Sequence, residues 1–245
     1  MASSTSFILT SLAALFTLSQ AVELTLTVVN NCPYPVWPGI QPNAGMPVLQ
    51  NGGFALDPNS HRSIPTLSTP WAGRIWGRTG CVEKDGKFSC VTGDCGPKLE
   101  CGGQGGGIST IAEVAFHQGA NDGVEYRVSV VDGYNLPMIV TPHEGTGQCP
   151  VVGCQATLLD MCPNELKLKH AADGRVIGCK SGCKALGKEE LCCTGAFNSP
   201  DKCKPSPHSE FFKKACPNAI TYPFDKPSLP VSCAAPKELK VIFCP

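Results

Sequence analysis

The segment EYRVSVVDGYNLP, residues 125–137, contains Arg127 and Asp132, whose charged side chains are of types that bind or react with ligands. Its apolar and more polar residues alternate, which predicts a half-buried strand. The alternation ends at Asp132, in an Asp-Gly pair typical of a turn. Arg127 precedes this acid by five residues. A carboxylate at the end of a strand is either a functional group or a turn former, and the residues alone leave both interpretations open.

Three other charged residues stand in comparably unusual places. Glu113 interrupts the apolar run IAEVAF, so it is either functional or a charge that protects a strand edge from pairing. Arg74 in GRIW is either functional or the partner of a nearby acid. Asp94 in TGDC is interpreted as a loop cap.

Other classes of site find little support. No G-x-S-x-G motif, phosphate-binding loop or Cys–His nucleophile pattern is present. A metal site is not expected, because the histidines are scattered and there is no C-x-x-C. No cofactor is expected either. Aromatic residues able to stack on sugars are interpreted as core instead: Tyr34, Trp37, Trp71, Trp76 and Phe88.

The elements that must position these residues belong to a secreted, disulfide-rich chain. FILTSLAALFTLS is an apolar run of thirteen, shorter than the roughly twenty residues of a membrane span. Small residues follow it, so residues 1–21 are predicted to be a signal peptide, with a signal anchor as the alternative. The sixteen cysteines all come later, and an even number in a secreted chain predicts a disulfide framework.

Composition then narrows the fold class. Charged residues make up 16%, against about 25% on average, and the formal net charge is zero, so nucleic acid is not an expected partner. Twenty-six glycines and twenty-two prolines leave few stretches for long helices. The prediction is an all-β, monomeric protein in which one large sandwich carries elaborated loops and no transmembrane segment.

Local patterns predict individual elements. Strands are expected in VELTLTVVNNC, IAEVAFHQ, VEYRVSVVD, NLPMIVTP and LKVIFCP. If Asp85-Gly86 forms a two-residue hairpin turn, Cys81 faces Cys90 at a closely spaced position, which suits a disulfide. Cys95 and Cys101 are near enough to staple a loop.

The cysteine-rich residues 149–216 are expected not to build a core of their own. Their predicted helices are 175–187, with Gly187 as the residue that ends it, and 209–216. Cys179 and Cys183 stand four apart on the first helix, too far for a relaxed bridge, so each is expected to pair elsewhere. The adjacent Cys192 and Cys193 likewise require two different partners.

Taken together, NNCPYPVWPG, GRIWGRTGC, GKFSCVTGDC, VDGYNLPM, SEFFKKACP and FCP resemble the plant thaumatin-like proteins, the family of thaumatin and osmotin. The resemblance covers the whole mature chain; GPKLEC after TGDC departs from the family signature and is expected to alter only a loop. It implies eight disulfides: Cys32–Cys244, Cys81–Cys90, Cys95–Cys101, Cys149–Cys233, Cys154–Cys216, Cys162–Cys179, Cys183–Cys192 and Cys193–Cys203.

The resemblance also implies the domain organisation. Residues 22–245 form one thaumatin-like domain, a flattened β-sandwich with two disulfide-rich loop subdomains and short helices in the larger one. The sandwich is assigned to 22–78, 108–143 and 217–245, the small loop subdomain to 79–107, and the larger subdomain to 144–216. A cleft lies between the sandwich and the larger subdomain.

In antifungal family members this cleft is acidic, lined by one arginine, one glutamate and three aspartates, and linked to β-1,3-glucan binding and weak glucanase activity. The matching residues are Arg74, Glu113, Asp132 and Asp225. Arg127 stands where the remaining aspartate is expected. An arginine favours ionised carboxylates, so the hypothesis is that Arg127 neutralises the cleft and largely disables hydrolysis. Arg127 and Asp132 share the cleft only if the chain bends between them.

The resulting expectation is a secreted, extracellular plant defence protein of the apoplast, because the chain ends just after its last cysteine without the extension that sends some relatives to the vacuole. It is expected to act against fungi by binding β-1,3-glucan or another fungal surface component. The alternatives are a weak endo-β-1,3-glucanase using Glu113 and Asp132, an inhibitor of foreign hydrolases, or a stable, non-catalytic allergen.

Overall fold

The computed structural model describes residues 24–65, 68–103 and 105–245; the predicted signal peptide lies outside these ranges. The strands within them are β1 (Thr25–Asn30), β2 (Trp37–Pro42), β3 (Ser60–Pro65), β4 (Trp71–Arg78), β5 (Val82–Lys84), β6 (Lys87–Ser89), β7 (Ile111–Gln118), β8 (Gly123–Ser129), β9 (Met138–His143), β10 (Thr146–Gln148), β11 (Val152–Cys154), β12 (Lys167–Lys169), β13 (Val176–Cys179), β14 (Ser232–Ala234) and β15 (Glu238–Phe243). The helices are α1 (Gly182–Leu186), α2 (Glu189–Cys192) and α3 (Pro207–Ala215), with 3-10 turns at Gln50–Gly52, Asn164–Leu166 and Gly195–Phe197.

Two sheets enclose the main core. One has the order β11-β9-β15-β1-β3 and the other the order β10-β14-β8-β7-β4-β2. Alternating residues of both sheets point into one shared hydrophobic cluster, Leu26 and Val241 from the first, Ile75, Val114 and Val128 from the second. The predicted all-β sandwich is confirmed, since strands that are apolar on one face bury that face against each other.

The two ends of the described chain meet in the five-stranded sheet. There β1 runs parallel to β15, with Val28 opposite Val241. The disulfide Cys32–Cys244 joins the residues that follow these strands. In the chain-entropy model, closing a loop of this length restricts the unfolded chain by about 4–5 kcal/mol.

The β5–β6 hairpin forms as its turn sequence predicts. Asp85 and Gly86 have φ angles of 54° and 69°, the left-handed conformation that a two-residue hairpin turn requires at both positions. The register pairs Val82 with Ser89, which brings Cys81 and Cys90 together with their Cα atoms 3.9 Å apart.

A glycine-rich loop covers one end of the outer face of the six-stranded sheet. Trp76 and Ile111 form a small hydrophobic cluster there with Cys95 and Cys101, which are bridged to each other. The loop lies so close that a Cβ on Gly106 would stand 2.0 Å from Trp76 Nε1. Only glycine allows this approach of the backbone to the indole.

The first residues of the predicted disulfide-rich range, 144–216, belong to the two main sheets. β10 pairs with β14 and β11 with β9, so the sheets extend to Cys154. Beyond them a second hydrophobic cluster includes Leu158, Leu166 and Phe212. Val130 and Tyr134 complete this cluster, so it depends on side chains supplied by the segment after β8.

The predicted helix over 175–187 is mostly wrong. Residues Val176–Cys179 form β13 instead, paired with β12, because β-branched Val176 and Ile177 suit a strand. The helix α1 starts only after Ser181, whose side chain accepts a hydrogen bond from Lys184 N. It ends as expected at Gly187, with φ 66°. The second predicted helix, 209–216, corresponds to α3.

All sixteen cysteines lie in the described ranges, and the structure joins them in eight disulfides. These are the eight pairs that the family resemblance implies. Among the described residues, no helix is both long and apolar enough to cross a membrane.

Candidate functional site

Three candidate site residues lie side by side on the outer face of the six-stranded sheet. Arg74 on β4 stands opposite Glu113 on β7, and Glu113 stands opposite Arg127 on β8. Residues directly opposite each other in antiparallel strands have Cβ atoms about 4.5–5.5 Å apart. Their strand neighbours Ile75, Val114 and others point into the core, so alternation turns this charged row, Arg74–Glu113–Arg127, toward solvent.

A bulge in β7 sets the register of the row. The pairing of β7 with β8 shifts between Ala115 and Gln118. His117, inside the bulge, has a φ of 58°, and its Nδ1 lies 2.5 Å from Asp122 Oδ1 in the following loop. Extending the Gln118–Gly123 pairing without the shift would put Arg127 opposite buried Val114. The extra residue in β7 therefore aligns Arg127 with Glu113.

Arg127 holds the carboxylate of Glu113. Arg127 Nε donates to Glu113 Oε2 over 2.6 Å, and Arg127 Nη2 contacts the same oxygen. The side chains are 62% and 27% exposed, respectively, so the pair lies at the surface but Glu113 is largely covered. The guanidinium stabilises the ionised carboxylate by a charge-assisted pair of contacts.

Asp132 lies beyond a bend at the end of β8. Gly133 N donates to Val130 O over 2.9 Å, which closes a turn. Gly133 has a φ of 117°, and a Cβ there would lie 2.7 Å from Cys179 O, so the turn requires glycine. The chain therefore bends between Arg127 and Asp132. This bend directs Asp132 to α1, where its Oδ1 lies 3.1 Å from Lys184 Nζ.

The carboxylate of Asp225 is hydrogen-bonded to neighbouring residues of the protein. Its Oδ2 accepts hydrogen bonds from Lys213 Nζ at 3.0 Å, from Thr221 N at 2.9 Å and from Thr221 Oγ1 at 3.0 Å. The side chain is 10% exposed. The loop that it closes follows Ile220, which pairs with the end of β8. Asp225 therefore holds this loop against the sheet and α3, and leaves little for a ligand.

Arg74 differs from these residues. It is exposed, and within the described ranges its guanidinium makes no ion pair or hydrogen bond with another residue.

The charges of the candidate site are therefore balanced pairwise. Glu113 is paired with Arg127, Asp132 with Lys184, and Asp225 with Lys213. Arg74 adds one further positive charge. Sequence reasoning missed both lysines, because each is brought to its partner by a helix of the disulfide-rich region, and no local spacing relates the two positions.

The aromatic residues contribute little open surface to this site. Trp71 and Trp76 are buried, with their indole N–H groups donating to Pro47 O and Gly93 O, as core residues do. Phe88 lies under the guanidinium of Arg78. Tyr34 is 41% exposed and stands beside Cys244. Asp94 accepts a hydrogen bond from Cys90 N, which confirms its interpretation as a loop cap.

A cavity of about 210 Å³ lies away from the charged row, beside β9 and β11. Its lining combines apolar side chains such as Ile139 and Val151 with the amides of Gln155 and Asn218, and none of its lining residues is titratable. It offers no acid–base chemistry.

Comparison with known proteins places the chain in a family. Residues 30–245 match the model of the thaumatin family. An osmotin-like protein of Solanum lycopersicum is 54% identical over 251 residues, covering 100% of both chains. A Prunus avium protein named glucan endo-1,3-beta-glucosidase is 40% identical over 224 residues and covers 90% of each chain.

Among solved structures, the thaumatin-like xylanase inhibitor TLXI is similar, with a TM-score of 0.50 and 26% identity. The match covers 90% of this chain and 99% of the inhibitor. With the two-sheet sandwich, the eight disulfides and the whole-length relatives in agreement, the chain belongs to the thaumatin family.

Proposed function

We propose that this chain is a secreted, defence-related protein that binds cell-wall polysaccharide in the cleft beside the charged row and does not hydrolyse it. The candidate ligand is β-1,3-glucan of the fungal surface. The observation that carries the proposal is the contact of Arg127 Nε and Nη2 with Glu113 Oε2, which commits the best-placed carboxylate to an ion pair.

Hydrolysis requires a carboxylic acid that keeps its proton until it reaches the leaving group. A general acid must also be free to approach the leaving group, and each of the three candidate carboxylates is instead engaged by a cation: Arg127 for Glu113, Lys184 for Asp132 and Lys213 for Asp225. The alternative of a weak endo-β-1,3-glucanase is therefore disfavoured, although a relative carries that name.

Binding is compatible with the same geometry. The row presents guanidinium donors and a carboxylate acceptor in fixed positions on a rigid sheet, and ordered strands hold such groups more precisely than loops do. Sugar hydroxyls both donate and accept hydrogen bonds. A polysaccharide chain lying along the cleft would meet both kinds of partner without any reaction.

Secretion is supported by the eight disulfides, which form and persist in oxidising compartments, and by the plant relatives. Among extracellular locations we propose the apoplast, where a fungal wall is accessible. A second candidate function, inhibition of a foreign hydrolase, is supported by the similarity to the xylanase inhibitor; loss of fungal xylanase or glucanase activity on adding the protein would favour it.

The test combines a pull-down on insoluble β-1,3-glucan with a reducing-end assay on laminarin. We expect the wild-type protein to bind the solid and release no reducing ends. Arg127→Asp should gain measurable hydrolysis, because a second carboxylate beside Glu113 disfavours ionisation of the pair. Arg175→Asp, a matched charge reversal at an exposed arginine whose ion pair is with Asp173, should gain none.

Two results would contradict the proposal. Hydrolysis by the wild-type protein that disappears in Glu113→Ala would establish the glucanase alternative. Failure of the wild-type protein to bind insoluble glucan or any other wall polysaccharide would remove the binding function itself.

A further inference from the structure

The unused hydrogen-bonding capacity of the charged row consists mainly of donors. A guanidinium has five N–H groups in a planar fork. Arg127 directs Nε and Nη2 to Glu113, which leaves Nη1 for a ligand. Arg74 is exposed, and its N–H groups make no hydrogen bond or ion pair with the residues that the structure describes.

The row has fewer acceptors than donors. Its one carboxylate, Glu113, shares Oε2 with two nitrogens of Arg127, which leaves Oε1 as its other oxygen beside the unused N–H groups of the two arginines. A row with an excess of donors favours a ligand group that only accepts. A sugar hydroxyl both donates and accepts, whereas an ionised carboxylate only accepts.

The spacing and charge of the row specify the kind of anion. Neighbouring strands are about 4.8 Å apart, so the backbones of Arg74 and Arg127 are separated by two strand spacings, with Glu113 between them. The three charges sum to one positive charge, which suits a monoanion. Planar guanidinium forks match carboxylates with two parallel hydrogen bonds.

The rest of the molecule does not create a general attraction for polyanions. The chain has twenty basic and twenty acidic residues and a formal net charge of zero. Selection of an anionic polymer would therefore depend on local contacts in the cleft and not on the overall field.

We propose that the cleft selects polysaccharides that carry carboxylate groups, such as polymers of uronic acids, over neutral ones, and that Arg74 is the residue that determines this preference. The proposal rests on the proposed function, namely that this cleft binds polysaccharide. It adds the chemical class of the preferred ligand. Arg74 supplies the open fork, and Arg127 contributes its remaining donor from the other side of Glu113.

The test compares polygalacturonate with fully methyl-esterified galacturonan, which has the same backbone without the charges. Binding is measured by titration calorimetry at pH 6 and 0.15 M salt with a calcium chelator present. We expect the wild-type protein to bind polygalacturonate at least about tenfold more tightly than the ester, in line with the strength of hydrogen bonds to charged groups.

Substitutions then assign the preference to Arg74. Arg74→Gln should weaken polygalacturonate binding about tenfold and should weaken binding to the ester by a clearly smaller factor. Arg74→Lys should lie between, because it keeps the charge and loses the planar fork. Arg175→Gln, the loss of an equally charged exposed side chain elsewhere, should stay within about twofold of wild type.

Equal affinity of the wild-type protein for the two galacturonans would overturn the inference, and so would an unchanged affinity in Arg74→Gln. A comparable loss in Arg175→Gln would also overturn it, since the attraction would then be non-specific. If the wild-type protein binds insoluble β-1,3-glucan and shows no preference between the galacturonans, the inference fails and the proposed function stands. If it binds no polysaccharide at all, the proposed function fails.

Discussion

Strand β4 carries two arginines, Arg74 and Arg78, on the same face of the same sheet, and they have opposite roles. Arg78 is 0% exposed. Its Nε donates to Trp37 O at 2.9 Å, and its Nη2 donates to Leu99 O at 2.7 Å and Pro38 O at 3.3 Å. Arg74, four residues earlier, is exposed, and no such partner is recorded for it among the described residues. Identical side chains thus serve stability at one position and are available to a ligand at the other.

The loop over 79–107 makes the difference. It covers the end of the sheet at Arg78, is stapled by Cys95–Cys101 and packs on Trp76. Burial lowers the pKa of Arg78 to about 10, although Asp94 and Glu100 act in the opposite direction. Arg78 remains charged at neutral pH, because carbonyl oxygens replace the water that the loop excludes.

The largest expected effect is that of Arg78→Met. It leaves the carbonyl groups of Trp37, Pro38 and Leu99 without this donor, and each buried unsatisfied group costs about 1–3 kcal/mol. We expect the free energy of unfolding to fall by about 3–5 kcal/mol, measured by denaturant titration with the disulfides intact. Arg74→Met should change it by less than about 0.5 kcal/mol. Similar losses of unfolding free energy in the two variants would refute the contrast between buried Arg78 and exposed Arg74.

An intermediate effect is expected for Gly106→Ala. The new methyl group would meet the indole of Trp76, and overpacking of this kind costs about 1–3 kcal/mol. The control is Gly102→Ala, where a Cβ meets nothing within 4 Å. Thermal unfolding followed by tryptophan fluorescence checks both. A Gly106→Ala protein as stable as the control would mean that the loop is not tightly packed against the indole of Trp76.

The smallest effect is expected for the exposed ion pair between Glu113 and Arg127. A double-mutant cycle with Glu113→Gln and Arg127→Gln should give a coupling energy of about 0.2–1 kcal/mol, the range of exposed ion pairs. The coupling should shrink in 1 M salt because surface charges are screened. A coupling energy above about 2 kcal/mol that does not change with salt would mean that the Glu113–Arg127 pair, like Arg78, stabilises the fold.

Much of the fold was predictable because it depends on local patterns. Alternation located the strands around Glu113 and Arg127, and the Asp85-Gly86 turn predicted the Cys81–Cys90 pairing. Residues 175–187 show the limit of such reasoning. Apolar spacing there suited a helix, but Val176–Cys179 pairs with β12, only a few residues earlier in the chain. The β-branched Val176 and Ile177 were a local signal for this strand, and the helical spacing outweighed it in the prediction.

The candidate site was predictable in part. Alternation alone turns Glu113 and Arg127 outward, and the turn dipeptide places Asp132 at a bend. The partners of Asp132 and Asp225 were not foreseeable, because Lys184 and Lys213 belong to helices that only the packed disulfide-rich region brings to the sheet. Asp225 consequently changed from a candidate cleft residue to a group that anchors a loop.

The sequence by itself determined the main strands of the sandwich, which side of each faces the core, and the residue types available on the outer face, because these depend on periodicity and on turn residues a few positions away. Only the tertiary structure decided which of those residues meet. The bulge at His117 aligns Glu113 with Arg127, and the cover over Arg78 stops before it reaches Arg74. Register and coverage depend on contacts between distant segments, and their free energies are set only when the whole chain packs.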